Sequence, residues 1–423
     1  MTRHQVDPRT LPDADLARHL LTVRGVHWMN GDRGAPLALL LRDHAVDRAA
    51  VHAGLRDGSP LRQTDLDVWV TAGHATASAV LADPRLTVRD PRTARRRRRP
   101  FTLGAGATAK HVLAVDDTVF GLEKGDVERL GALAGPLLDG GEPQSVARGF
   151  RELAAVPDGP FDLITDFARP GTAAALAALF ALPGEVRDRY AALVGDTAPV
   201  LDALLCPPTL AATRALTAAY DQIAEDVDRL VKDGGTPFGD GAPAADVRAL
   251  CLLVLVGGAQ LAVRLIHGTV TALLAEDGAW AAVRDDPALV PAAVDETLRH
   301  DPPLRIVSRI AADDTEIAGL PVAAGDQVAV LLDAAGRDPA AFTEPNRFLP
   351  GRADRAQPPL LADPAARLLT PLLRLLAFEA VTALAARAPR LAPAGPAIRW
   401  LRTPVTGAVA RCPVTTGQPP GAA

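Results

Sequence analysis

Cysteine is scarce in this sequence. Among 423 residues only Cys206, Cys251 and Cys412 carry a thiol; they are far apart, and none is part of a CxxC pair. An odd number of isolated cysteines argues against a disulfide framework and against a structural zinc site. The composition therefore predicts a protein of a reducing compartment, the cytoplasm.

Long apolar runs without a charged residue are also missing. The first 20 residues contain no apolar core of a signal peptide. The most apolar run, residues 251–263, ends at Arg264 and is shorter than the ~20 residues that a membrane span needs. The formal net charge of −5 gives no general attraction to nucleic acid or to an anionic membrane. We therefore expect neither as a partner.

The sequence does contain enough apolar residues for a large core, since 48% of it is hydrophobic and 22% is charged. Helical spacing covers residues 14–23, 74–83, most of 126–300 and 364–388; β-rich runs cover 67–73 and 305–335, with a closing hairpin at 396–414. Because strands and helices do not alternate regularly, the predicted fold class is mainly α with small β-sheets.

Three regions follow from this pattern. We expect an N-terminal segment at 1–45, one domain at 46–415 and a disordered tail at 416–423. Within the domain, five consecutive arginines at 95–99 repel one another and lie near prolines, which predicts a solvated loop at 91–101. A patch that binds nucleic acid or an acidic partner is the alternative.

One acid–base pair has informative surroundings. Glu296 and Arg299 are three residues apart on a predicted helix, so they share a face and are able to pair. A β-rich stretch follows, and then AAGRDPAAFTEPNRFLPGR (334–352), which contains Arg347. Together these segments resemble the C-terminal half of a cytochrome P450. The resemblance implies a P450-like fold in which Glu296, Arg299 and Arg347 form a buried charge network.

The residues that carry P450 chemistry are missing. In a P450, the next element contains the cysteine thiolate that ligates the haem iron and promotes O–O cleavage. Here residues 352–387 contain no cysteine, histidine or glycine. Aligned on Gly258, the family's proton-relaying acid and threonine become Gln260 and Leu261, which cannot relay a proton. We therefore predict a P450-like fold without the haem-ligating Cys loop, without haem or another metal, and without a catalytic residue.

Three further segments narrow the resemblance. They are LLTVRGVHWMNGDRGAPLALLLRD (20–43), VWVTAGHATASAVLADPRLT (68–87) and GPAIRWLRTPVTGAVARCPV (395–414). They resemble the haem-less P450-like auxiliary proteins that are encoded beside glycosyltransferases in macrolide and anthracycline antibiotic pathways. The resemblance implies a non-catalytic protein that binds, stabilises and activates a glycosyltransferase, which attaches a deoxysugar to a polyketide aglycone.

The partner interface is expected near the N-terminus. Val26, His27, Trp28 and Met29 are large residues outside any predicted core helix, and exposed aromatic residues are common interface anchors. The alternative is that Trp28 packs this segment onto the body of the protein. Two other functions also fit the sequence: a P450-like protein that binds an aglycone or a sugar nucleotide in its pocket, and a haem enzyme with an unusual ligand.

Overall fold

Helices form most of the chain. The computed structural model describes residues 8–42, 46–88, 119, 122–138, 143–152, 159–203, 205–238, 241–354, 356–399 and 402–416. The α-helices of these residues are α1 (Asp13–Asp32), α2 (Pro36–Arg42), α3 (Arg48–Arg56), α4 (His74–Ala82), α5 (Lys124–Leu138), α6 (Pro143–Glu152), α7 (Arg169–Leu179), α8 (Gly184–Leu193), α9 (Leu210–Lys232), α10 (Ala244–Leu252), α11 (Ala259–Ala275), α12 (Ala279–Asp285), α13 (Val290–His300), α14 (Leu332–Ala335) and α15 (Pro364–Arg387).

The strands are short and form four small sheets within the described ranges. They are β1 (Arg62–Gln63), β2 (Val68–Thr71), β3 (Leu86–Thr87), β4 (Pro160–Asp162), β5 (Ile306–Ala311), β6 (Thr315–Ile317), β7 (Leu320–Val322), β8 (Gln327–Leu331), β9 (Ala392–Pro393), β10 (Ile398–Arg399), β11 (Val409–Arg411) and β12 (Pro413–Thr415). The largest sheet has the order β1-β2-β8-β5-β3, and only its β2–β8 pair is parallel. In the second, β12 lies between β4 and β9, while β6 pairs with β7 and β10 with β11.

One long helix runs through the centre. A π-helical turn, Leu253–Gly258, joins α10 to α11 into a 32-residue helix. This helix and α15 are long and apolar enough to cross a membrane by length and composition. The most apolar window of the central helix is 100% buried, however, and that of α15 is 61% buried. Burial inside the protein accounts for their hydrophobicity, because a helix that is apolar on all sides also occurs in the core of a large protein.

The N-terminal helices share a core with the largest sheet. Val26 of α1 and Leu40 of α2 pack in one apolar cluster with Val68, Ile306 and Leu331 of that sheet. A larger cluster surrounds the central helix and includes the inner faces of α7 and α15. The N-terminal segment therefore packs directly against the strands that follow it in sequence.

Most of the predicted elements are confirmed, and one boundary is wrong. The mainly helical fold with small sheets, the strand near 67–73, the β-rich stretch at 305–335 and the helix at 364–388 are all present. The sequence pattern predicts that the first helix ends at residue 23, but α1 continues to Asp32. It continues because Val26, His27 and Gly31 are buried against the body, which stabilises helical turns that local propensity does not favour. The arginine run at 95–99 and residues 417–423 lie outside the described residues.

Candidate functional site

The structure pairs Glu296 with two arginines. On α13, Arg299 donates from Nη2 to Glu296 Oε1 at 2.6 Å and from Nε to Oε2 at 2.9 Å. Arg352 donates from Nε to Glu296 Oε2 at 3.1 Å, and the backbone N–H of Leu349 donates to Oε1 at 2.9 Å. Burial opposes ionisation of Glu296, but the hydrogen bonds from Arg299 and Arg352 outweigh it and lower the pKa of the carboxyl group. The network therefore holds the loop after Pro345 against α13.

Arg347 has a different role from the predicted one. Its side chain is exposed and pairs with Glu344 at 2.8 Å, so the prediction that this side chain joins the buried network is wrong. Its backbone carbonyl does take part, since it accepts from Arg299 Nη2 at 2.9 Å. Arg352, five residues later, supplies the second guanidinium group instead. Spacing along a loop does not determine which arginine turns inward, and for this reason the sequence pattern selected the wrong one.

Gln260 and Leu261, at the positions of the acid and threonine that activate oxygen in a P450, make packing contacts. Gln260 is buried and donates from Nε2 to the carbonyl of Val194 and to Thr197 Oγ1, both at 2.9 Å. These bonds hold the segment after α8 against the central helix. Leu261, one residue later, is an apolar wall of a cavity. Neither side chain carries an ionisable proton in these positions.

A cavity of about 150 Å³ lies beside Leu261. Its walls come from the central helix, from β5 and from the start of α15, and most of them are apolar. Among the described residues of its walls, two are charged: Arg309 of β5 and Asp363, which precedes α15. These two side chains form an ion pair with each other. Asp363 also accepts the backbone N–H of Ala365 at 2.9 Å and so caps α15.

The described residues around this cavity do not fit a haem. Its described walls include no cysteine or histidine that could ligate iron. All three cysteines are buried elsewhere. Burial raises the pKa of Cys251 to about 12, and burial with the nearby Asp162 charge raises that of Cys412 to about 11, so neither is a thiolate at neutral pH. Within the described residues, no cluster of side chains has the composition of a metal site.

Helix α1 presents an apolar stripe to solvent. Leu21, Trp28 and Met29 are 63%, 39% and 58% exposed, and positions seven and eight residues apart lie on neighbouring parts of one helix face. The Arg42 guanidinium group lies 4.3 Å from the centre of the Trp28 ring and pairs with Asp32 at 2.5 Å. We call Leu21, Trp28 and Met29 the α1 stripe.

Only half of the predicted interface residues lie on this stripe. Val26 is 7% and His27 is 3% exposed, so the prediction that they form a surface is wrong. Helical periodicity explains the division, because Val26 and His27 face the core while Trp28 and Met29 face outward. Burial, together with the nearby Arg402 charge, lowers the pKa of His27 to about 4. Leu21 could not be identified from the sequence as an interface residue, because it lies within the predicted amphipathic helix at 14–23 and no sequence feature indicates that it is exposed.

Comparison with known proteins identifies the fold. The family described as Cytochrome P450 matches residues 282–360. The crystal structure of ligand-free CYP164A2 from Mycobacterium smegmatis has a TM-score of 0.74 to this chain at 25% sequence identity, covering 90% of this chain and 98% of that one. The protein therefore has the cytochrome P450 fold.

Relatives that match this chain over almost their full length identify its family within the P450 fold. Protein AknT of Streptomyces galilaeus is 37% identical, covering 96% of this chain and 96% of AknT. The cytochrome P450 family protein EryCII of Saccharopolyspora erythraea is 31% identical, covering 96% of this chain and 99% of EryCII. The chain belongs to the family of P450-like glycosyltransferase auxiliary proteins of antibiotic biosynthesis that its sequence resembles.

Proposed function

We propose that this protein binds, stabilises and activates a glycosyltransferase that attaches a deoxysugar to a polyketide aglycone, and that it does so in the cytoplasm without haem and without chemistry of its own. Full-length similarity to AknT and EryCII is the observation that carries the proposal. The structure adds physical support. The network of Glu296 stabilises the fold, whereas Gln260 and Leu261 stand in packing contacts where oxygen activation needs an acid and a hydroxyl group.

The α1 stripe is the surface that we assign to the transferase. It contains three of the five large apolar side chains that are most exposed among the described residues. Aromatic and methionine side chains are enriched in interfaces, and Trp28 is already held in place by Arg42. A stable complex of this kind buries at least ~1,200 Å² in total, so the stripe is its apolar centre and not its full extent.

Activation of the transferase follows if binding of the auxiliary protein is coupled to the conformational equilibrium of the transferase. A protein that binds only the active conformation of a transferase raises the population and the stability of that conformation. The auxiliary protein needs no active site for this effect. It needs a surface that fits one state of its partner better than the others.

Coexpression with the glycosyltransferase encoded beside it tests the proposal. We expect the pair to co-purify, and we expect the transferase to gain soluble yield and turnover.

The triple variant L21S/W28A/M29S should weaken the complex by at least about tenfold. Leu289→Ser with Ile398→Ser is the control, because these side chains are 43% and 52% exposed and neither belongs to α1. A transferase that is equally soluble and active alone contradicts the function; loss of binding in the control but not in the triple variant contradicts the surface.

A further inference from the structure

A glycine lies well inside the α1 helix, where helix stability does not favour it. Gly25 has helical neighbours on both sides, since α1 runs from Asp13 to Asp32. A Cβ atom added at Gly25 would meet nothing within 4 Å, and the backbone there is not left-handed. Glycine destabilises the interior of a helix relative to alanine. The described surroundings of Gly25 therefore do not require a residue without a side chain.

The surface above Gly25 is a depression in the α1 stripe. Positions three and four residues away on either side are the neighbours of a helical residue on its own face. For Gly25 these neighbours are Leu21, Thr22, Trp28 and Met29, and all four are exposed. Four side chains around a position that has none form a hole of the kind that receives a side chain from another helix. We call this surface the Gly25 depression.

Two arginines flank the depression, and neither has a carboxylate partner among the described residues. Arg24 is half-buried and donates from Nε and Nη2 to the carbonyl of Pro207, at 3.2 and 3.1 Å. Burial and the nearby Arg402 charge lower the pKa of Arg24, so its surroundings disfavour the positive charge. Arg33 follows the last residue of α1 and is exposed. The surface is thus apolar at its centre and cationic at its edges, and it is complementary to an apolar partner with acidic flanks.

We propose that the Gly25 depression is the point at which a helix of the transferase crosses α1. The crossing helix places an apolar side chain over Gly25 and acidic side chains beside Arg24 and Arg33. This inference rests on the proposed function and specifies the partner element that the α1 stripe receives. The distance between two packed helices depends on the side chains at their contact, so glycine permits a close approach. The transferase, and not the fold of this protein, requires glycine at this position.

Gly25→Ala should affect the free protein and the complex in opposite directions. In the free protein alanine favours the helix and its methyl group meets open space, so we expect the Tm to rise by about 1–2 °C. In the complex the methyl group separates the two helices, so we expect binding to weaken at least about fivefold. Gly25→Leu should weaken binding further. A lower Tm of purified Gly25→Ala would show that the fold needs this glycine and would overturn the proposal.

Competitive capture measures the effect on binding. The unchanged protein and one variant are coexpressed with a tagged form of the glycosyltransferase encoded beside this protein. Mass spectrometry of the intact captured proteins gives their ratio, relative to the ratio in the soluble fraction. Gly54→Ala is the matched control, because Gly54 is exposed on α3 and a Cβ atom there also meets nothing within 4 Å. We expect this control to be captured as well as the unchanged protein.

The outcomes of this experiment separate the inference from the proposed function. If the transferase captures the unchanged protein and Gly25→Ala equally, the crossing point is wrong and the proposed function still stands. If the transferase does not capture the unchanged protein, the proposed function is wrong and this inference falls with it. Reduced capture of Gly25→Ala, together with its raised Tm and normal capture of Gly54→Ala, supports the proposal.

Variants of Arg33 test the acidic flank of the partner helix. Arg33→Glu should reduce capture about threefold or more, and the loss should shrink in high salt. Arg390→Glu is the control, because Arg390 is exposed and has no ion pair within the described residues. Arg33→Lys keeps the charge and permits carbodiimide coupling to a carboxylate in contact with it, and we expect the coupled residue to lie on a transferase helix. Equal capture of Arg33→Glu and Arg390→Glu, or coupling to a loop or strand, would overturn the proposal.

Discussion

Glu296 is the residue on which the interior charge network depends. Its carboxylate accepts hydrogen bonds from Arg299 and Arg352, whose side chains are 2% and 10% exposed. Glu296→Ala therefore leaves the buried Arg299 guanidinium group without its counter-charge, and it leaves Arg352 with Asp354 as its remaining carboxylate partner. We expect a loss of about 3–5 kcal/mol in the free energy of unfolding. Urea unfolding followed by circular dichroism measures it.

Arg347→Ala is the control for that measurement. The Arg347 side chain is exposed and pairs with the exposed Glu344, while its carbonyl, which the substitution keeps, accepts from Arg299. We expect unfolding close to that of the unchanged protein. If Arg347→Ala and Glu296→Ala destabilise equally, the assignment of Arg352 in place of Arg347 is wrong.

His27 makes stability depend on pH. Burial lowers its pKa from 6.5 to about 4 in the folded protein, so the unfolded chain takes up a proton at a pH where the folded chain does not. The stabilising contribution is complete above pH 6.5 and is lost as the pH falls toward 4. His27→Gln removes this titration. We expect the unchanged protein to lose about 1–2 kcal/mol more than the variant between pH 7 and pH 5.

Urea unfolding at both pH values checks this prediction. Burial also lowers the pKa of His52 to about 4, but His52 is present in both proteins and its contribution cancels in the difference. Equal pH dependence of the two proteins would show that His27 titrates alike in the folded and unfolded states.

At the scale of elements, Tyr190 of α8 supports the π-helical turn of the central helix. Its hydroxyl group donates to the carbonyl of Leu255 at 2.8 Å in a buried position. Tyr190→Phe removes the donor and leaves that carbonyl without this partner. We expect a loss of about 1–3 kcal/mol in the free energy of unfolding, with unchanged helix content by circular dichroism. An unchanged stability would mean that the turn does not need the hydroxyl group.

Elements with a strong internal period could be predicted from the sequence. The helix at 364–388 and the β-rich run at 305–335 are set by local spacing and turn residues, and α15 begins at residue 364 as expected. The end of α1 could not be predicted, because glycines at 25 and 31 favour an earlier stop and only burial against the sheet overrides them. For the same reason the sequence wrongly predicts a surface at Val26 and His27, which lie on the inward side of α1.

At the scale of the whole molecule, strand pairings between distant segments cannot be predicted from local sequence patterns. The parallel pair β2–β8 joins strands that are more than 250 residues apart, and β12 connects β4 to β9. The closing hairpin was expected, and β10 does pair with β11, but the contact of β12 with β4 has no local signal. Among site residues, the sequence identified Glu296 and Arg299 through their helical spacing. It could not identify Arg352, whose position depends on a folded loop.

The proposed lack of haem chemistry concerns the whole molecule, and it leads to the last prediction. Cys251 and Cys412 have raised pKa values because each is buried, so at neutral pH they are thiols and not the thiolates that ligate haem iron. We expect protein purified from haem-supplemented cells to show no stoichiometric Soret band, before or after dithionite and CO. A P450 with an intact cysteine loop, produced in the same cells, is the control for haem supply. A stoichiometric thiolate-type band that disappears in Cys251→Ala or Cys412→Ala would establish one of these residues as an iron ligand, and the fold would then carry an oxygenase site in an unexpected place.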